Sequence, residues 1–140
     1  MAQVADRSER PRLILDAGAL IALARGDQIA RSALSRAGRD GYRVVVPTPV
    51  LAQVHRGGRA RAATDRVLSA VDSYAPTSVG IARRAGELLG RTGQDDAIDA
   101  IVAAEALSSP AATMLTSDPD DLATLVEADA ARDRVYISRC

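Results

Sequence analysis

A chain of 140 residues that is 47% hydrophobic has enough apolar side chain for one core, yet only 2% of it is aromatic, with no Phe and no Trp. That argues against modules that grip single strands by stacking bases on aromatic faces. Eighteen basic residues balance eighteen acidic ones for a net charge of zero, so the global positive field of a duplex-DNA binder is missing, although local patches are not excluded.

In chain order, residues 1–11 read as a flexible N-terminal tail ending at Pro11. Arg12 to Asp16 forms a short apolar strand closed by an acid, and a helix follows from about Ala17 to Arg25. Asp27 can cap a second helix from Gln28 to about Gly38. Arg43-Val44-Val45-Val46 is a β-branched strand. Pro47-Thr48-Pro49 ends it and opens a helix to about Arg56, since Pro is tolerated in a first turn. Gly57-Gly58 separates that helix from an arginine-rich amphipathic stretch, Arg59 to Val71, and Ser73 to Ala75 carries a weak strand signal. Ser78 to Leu89 has helical spacing that stops at Gly90, and Asp95 or Asp96 begins a long helix to about Ser108. Thr113 to Thr116 is a strand followed by Ser117-Asp118; a helix to about Ala130 and a last strand, Arg134 to Ser138, complete the chain. Strands alternating with helices imply βαβ units, and hence an α/β domain with a mainly parallel sheet covered on both faces. No repeat or linker interrupts the chain, so one domain over 1–140 is expected.

Three places put carboxylates at comparable positions. Asp16 ends the first strand, Asp118 lies just past the strand Thr113 to Thr116, and Asp96 and Asp99 share one face in the first turns of their helix. Taken singly, each can be a cap or turn residue. Taken together, they fall at the carboxyl edge of one sheet, where α/β folds bind ligands. Acids converging there repel unless a cation neutralises them, and an all-oxygen donor set suits Mg²⁺ or Mn²⁺. The softer side chains are one His and one Cys, Cys140, far along the chain. A lone Cys forms no internal disulfide, the N-terminus lacks a signal-peptide core, and no apolar run is long enough to cross a bilayer; a cytoplasmic protein without membrane contact is expected.

With Leu13-Ile14-Leu15-Asp16, Asp99-Ala100-Ile101-Val102-Ala103-Ala104 and Leu115-Thr116-Ser117-Asp118-Pro119-Asp120-Asp121-Leu122 in this order, the chain resembles PIN-domain ribonucleases of the VapC toxin type from about residue 12 to 138. The resemblance implies a three-layer α/β/α domain with a roughly five-stranded sheet. It also implies a metal-dependent endoribonuclease binding Mg²⁺ or Mn²⁺, paired as a homodimer with a cognate antitoxin. Asp16, Asp99 and Asp118 correspond to the family's metal-holding acids, Asp121 to an auxiliary acid and Thr116 to the hydroxyl that orients the site. The family's glutamate on the helix after the second strand falls at Gln53, a neutral amide that ligates a cation less well. Asp96, one turn before Asp99, is the candidate replacement charge, as a fourth metal-holding acid or as the group that orients a water.

Arg56, Arg59, Arg61 and Arg66 are the candidates to offset acidic repulsion of RNA, or else form a solvated helix face. His55 reads as a partly buried packing residue, and the stretches 28–38 and 59–71 as candidate partner faces. Two other classes compete. A catalytically silent PIN-like module that binds antitoxin or RNA is favoured by Gln53 and opposed by the retained acids. A phosphotransfer domain would need a lysine, and every basic residue here is Arg.

Overall fold

Short apolar runs without room for a helical face become the strands of the computed structural model, which describes residues 10–140; the first nine residues of the expected tail lie outside them. The strands are β1 (Arg12–Leu15), β2 (Arg43–Pro47), β3 (Ser73–Ala75), β4 (Ala112–Thr116) and β5 (Val135–Arg139). The helices are α1 (Ala17–Ala24), α2 (Gln28–Arg39), α3 (Thr48–Val54), α4 (Arg61–Ser69), α5 (Val79–Thr92), α6 (Ala97–Leu107) and α7 (Pro119–Glu127). All strand pairs are parallel, in the order β3-β2-β1-β4-β5. Right-handed crossovers then put α1 to α4 on one face and α5 to α7 on the other. The fold is a three-layer α/β/α sandwich, as expected.

Four helices start on side chains within three residues of the amides they satisfy: Asp16 for α1, Asp27 for α2, Ser78 for α5 and Asp96 for α6. The core is aliphatic. Ile14, Leu15, Met114 and Leu115 of the central strands are sealed from solvent, and α6 buries Ala100, Val102, Ala103, Ala104, Ala106 and Leu107. Four buried alanines of that helix let its backbone approach both the sheet and α5, which it packs along. Tyr74 and Tyr136 stay at the surface.

Two helix ends lie three residues from the expected ones. α5 passes through Gly90 to Thr92 and ends at Gly93, whose φ of +73° makes the left-handed cap; a mid-helix glycine costs only propensity, whereas a left-handed residue stops the helix. α7 ends at Glu127, short of Ala130, because Asp129 Oδ1 accepts the Ala131 amide at 2.9 Å and offers the backbone a turn instead.

The chain moves outward from β1 through β2 to β3, then returns to β4 on the other side of β1. The direction of strand progression reverses between β1 and β4, and at such a switch point the carboxyl ends of the strands frame the crevice in which α/β sheets usually bind ligands.

Candidate metal centre

Asp16 follows β1 directly, and β1 and β4 run in register from Arg12 with Ala112 to Leu15 with Leu115. The next residues along are Asp16 and Thr116, so the register sets them side by side. Asp16 is only 8% exposed, and its Oδ1 accepts the Ala19 amide at 2.8 Å. Burial pushes its carboxyl above the ordinary value; the Thr116 hydroxyl and the Ala19 amide oppose this by bonding the charged form, and Asp118 adds repulsion. Thr116 is fully buried, and its Oγ1 accepts the Asp118 amide at 2.9 Å. One hydroxyl therefore couples the acid of β1 to the loop leaving β4.

Asp118 occupies the cap position of α7 without making a side-chain capping bond, which leaves its carboxylate available. Asp121, one turn into α7, is raised by a hydrogen bond shared with Asp118 and by that residue's charge. Asp96 caps α6 through Oδ1, which accepts the Asp99 amide at 3.0 Å. Asp99 itself is half-buried and shows the convergence most directly. Its carboxyl is pushed up to about 6, first by burial and then by the charges of Asp96, Asp16, Asp118 and Asp121. Acids from three separate stretches of chain thus act on one another, and among the described residues no Arg is ion-paired with any of them.

The donor set is wholly oxygen and its negative charge is uncompensated, which fits a hard divalent cation. Its present spacing is looser than a coordination sphere: among the described residues, no three His, Cys, Asp or Glu side chains are drawn together closely enough to hold an ion as they stand. Asp16 and Asp96 each commit one oxygen to a cap and keep the other.

Gln53 lies half-buried in the last turn of α3, a helix that packs against α1 and α6, the two helices bearing Asp16 and Asp99 at their starts. Its carbonyl accepts Arg56 Nε at 3.3 Å. Arg56, Arg59, Arg61 and Arg66 are all exposed, and Arg61 pairs with Asp65 at 3.5 Å. His55 is exposed at the end of α3, which corrects its reading as a packing residue: the helix stops at Val54, and the chain turns outward toward Gly57 and Gly58, both at positive φ.

Two residues of this edge were not singled out by the sequence. Gly18 sits in the first turn of α1, where an added Cβ would overlap Ser117 Oγ and come within 3.0 Å of Ser117 Cβ. Its missing side chain lets α1 close on the loop that carries Asp118; a glycine inside a helical run is the signal that could have found it. Cys140 is far from Asp16 in sequence but not in space. Its amide donates to the Thr116 carbonyl at 2.9 Å, and burial, with the nearby Asp16 and Asp27 charges, pushes its thiol up to about 11. Both causes disfavour the thiolate, the form that binds a soft metal.

Residues 13–128 match the family model described as the PIN domain. A chain of the crystal structure of VapBC2 from Rickettsia felis bound to a DNA fragment from their promoter superposes with a TM-score of 0.69 at 15% identity, covering 91% of this chain and 98% of that one. A chain of DNA-bound VapBC from Salmonella typhimurium superposes with a TM-score of 0.62 at 14% identity, covering 91% and 97%. No curated protein matches the sequence. Identities this low speak for the fold alone. The family match spans the strand that ends in Asp16, the helix that carries Asp99 and the loop that holds Asp118, and on that ground the chain belongs to the PIN domain family.

Proposed function

We propose that the protein is a metal-dependent endoribonuclease, the toxin of a toxin-antitoxin pair, using Mg²⁺ or Mn²⁺. The observation that carries this reading is the uncompensated convergence of Asp16, Asp96, Asp99 and Asp118 at the β1/β4 crevice, with Asp99 pushed up to about 6. A site of crowded charge with no counter-cation costs stability, and a divalent ion relieves that cost. Asp16, Asp99 and Asp118 would hold the ion, with Asp96 as the fourth acid. Bound there, it would supply Lewis acidity for phosphodiester hydrolysis.

The chain's own residues do the rest. The Thr116 hydroxyl favours the charged form of Asp16 against burial, and the α6 amino end supports Asp96 and Asp99 through its amides and dipole. Asp121 steadies Asp118 through the hydrogen bond the two carboxyls share. Arg56, Arg59 and Arg61 flank the Gly57-Gly58 turn and offer guanidinium groups to RNA phosphates. The solved VapBC assemblies of similar fold support a cognate antitoxin as partner, and a homodimer is the proposed state. A basic antitoxin side chain entering the acidic crevice would silence the enzyme by the same charge pairing.

A second reading, a module that binds antitoxin or RNA without turnover, rests on Gln53, whose amide adds no charge where the resemblance implies a glutamate. The test is cleavage of a mixed single-stranded and structured RNA pool with Mg²⁺, with Mn²⁺ and with chelator, by the native chain, Asp16→Asn and Gln53→Glu. Metal-dependent cutting by the native chain that Asp16→Asn abolishes is expected; Asn still caps α1, so the fold survives that change. Cutting only by Gln53→Glu would favour the silent module, and no cutting by either would refute the nuclease.

A further inference from the structure

The amino end of the sheet, opposite the acids, has a charge imbalance of the other sign. Arg12 of β1 and Arg43 of β2 are register partners on adjacent parallel strands, so their side chains leave the same face side by side. Like charges so placed destabilise a sheet unless something between them is negative. The available anion is Glu105 of α6, 6% exposed, whose Oε2 stands 4.0 Å from Arg12 Nη1. It is paired with Arg12 and lines the same space as Arg43. Burial moreover raises its own carboxyl, with Arg12 opposing.

These three residues line a cleft of about 410 Å³ together with Ser73, Tyr74 and Ser78. Two buried side-chain polar atoms without a hydrogen-bond partner are found among the described residues, Arg12 Nε and Thr77 Oγ1. Both belong to this corner: Arg12 lines the cleft, and Thr77 lies between Pro76 and Ser78, which also line it. Buried donors left unmade are costly, and most of all on a charged group. Two cations and one anion line one concave space, with an orphaned guanidinium N–H sealed behind its wall.

We infer that this cleft, between α5 and the amino ends of β1, β2 and β3, binds a single oxyanion, a phosphate or a carboxylate group, held by Arg12 and Arg43. A planar or tetrahedral set of oxygens can accept from the terminal guanidinium nitrogens of Arg12 and Arg43 at once. Glu105 limits the affinity by its charge and orients Arg12. The site lies at the far end of the strands from the acidic crevice, so it stands whether or not the chain is a nuclease.

The test is calorimetric titration of the full chain with inorganic phosphate and, separately, with acetate, at constant ionic strength set by chloride. Saturable binding of phosphate alone assigns a phosphate-bearing ligand, of acetate alone a carboxylate-bearing one, and of both a general oxyanion site; each supports the inference. Arg43→Gln is expected to weaken binding about tenfold, and Glu105→Gln to tighten it roughly threefold, because removing the internal anion leaves both cations to the ligand. Should either variant fold poorly, the Arg12 Nε–H resonance of the native protein reports directly: it shifts with saturating phosphate or acetate. Absence of saturable binding by either anion, an unmoved Arg12 resonance, or native-like affinity in Arg43→Gln overturns the site.

Discussion

Replacing Asp99 by Asn should make the metal-free protein more stable and the metal-bound one less so. A carboxyl held from 3.8 up to about 6 costs at most about 3 kcal/mol when ionised at neutral pH, at roughly 1.4 kcal/mol per pH unit. Asp99 is only half-buried, so solvent screening reduces the net penalty to about 1–1.5 kcal/mol. Its sign follows from linkage. Because the folded value lies above the unfolded one, the folded protein keeps a proton that the unfolded chain has lost. The penalty is therefore absent below about pH 4, grows as the pH rises to about 6 and is complete above it. Asn is nearly isosteric, keeps the backbone amide that Asp96 accepts, and removes the charge. In chelator at pH 8 the melting temperature of Asp99→Asn should exceed that of the native chain by about 3–6 °C, and at pH 4 the two should coincide. Titration with Mn²⁺ should raise the native melting temperature and leave the variant much less changed. Thermal unfolding followed by circular dichroism at the two pH values, with and without metal, measures all of this. A variant that is less stable in chelator at pH 8, or equally stabilised at pH 4, would refute the charge-crowding argument.

Gln53→Glu adds one more acid near the crowded edge, so it should lower stability in chelator and steepen the gain from Mn²⁺, read by the same melts. Gly18→Ala should cost about 1–2 kcal/mol in urea unfolding through its collision with Ser117; Ser117→Gly should restore most of the loss, and a non-additive double-mutant cycle checks the contact. Arg84 holds Asp129 in a two-pronged pair at 2.7 and 3.0 Å, tying α5 to the end of α7, and lowers that carboxyl below its usual value. Arg84→Met leaves Asp129, 7% exposed, without its partner and should cost about 2–4 kcal/mol at pH 7. That difference should shrink in melts below pH 4, since a depressed carboxyl stabilises only while it remains ionised.

The elements were legible because what makes them is local. Asp16, Asp27, Ser78 and Asp96 cap helices by accepting amides three residues away, and the Val44-Val45-Val46 run has no polar face to give a surface helix. The acids at the ends of β1 and β4 could be named for the same reason: strand ends and cap positions show in the residue order. Helix ends were less legible where two stops competed, as with Gly90 against Gly93, since the backbone angle that decides is set by contacts beyond the glycine. His55 was misread because burial depends on where α3 stops.

The sequence by itself determined the alternation of short strands and capped helices, the aliphatic core and the oxygen-only donor set, since each follows from residues within a turn or two of one another. Only the tertiary structure decided that β1 lies between β2 and β4, and therefore which charges meet. That order sets Asp16 beside Thr116, lets its charge act on Asp99, brings Cys140 back to the Thr116 carbonyl, and pairs Arg12 with Arg43. Strand order and register are long-range choices, made by burying both faces of the sheet at once, and no local pattern of residues encodes them.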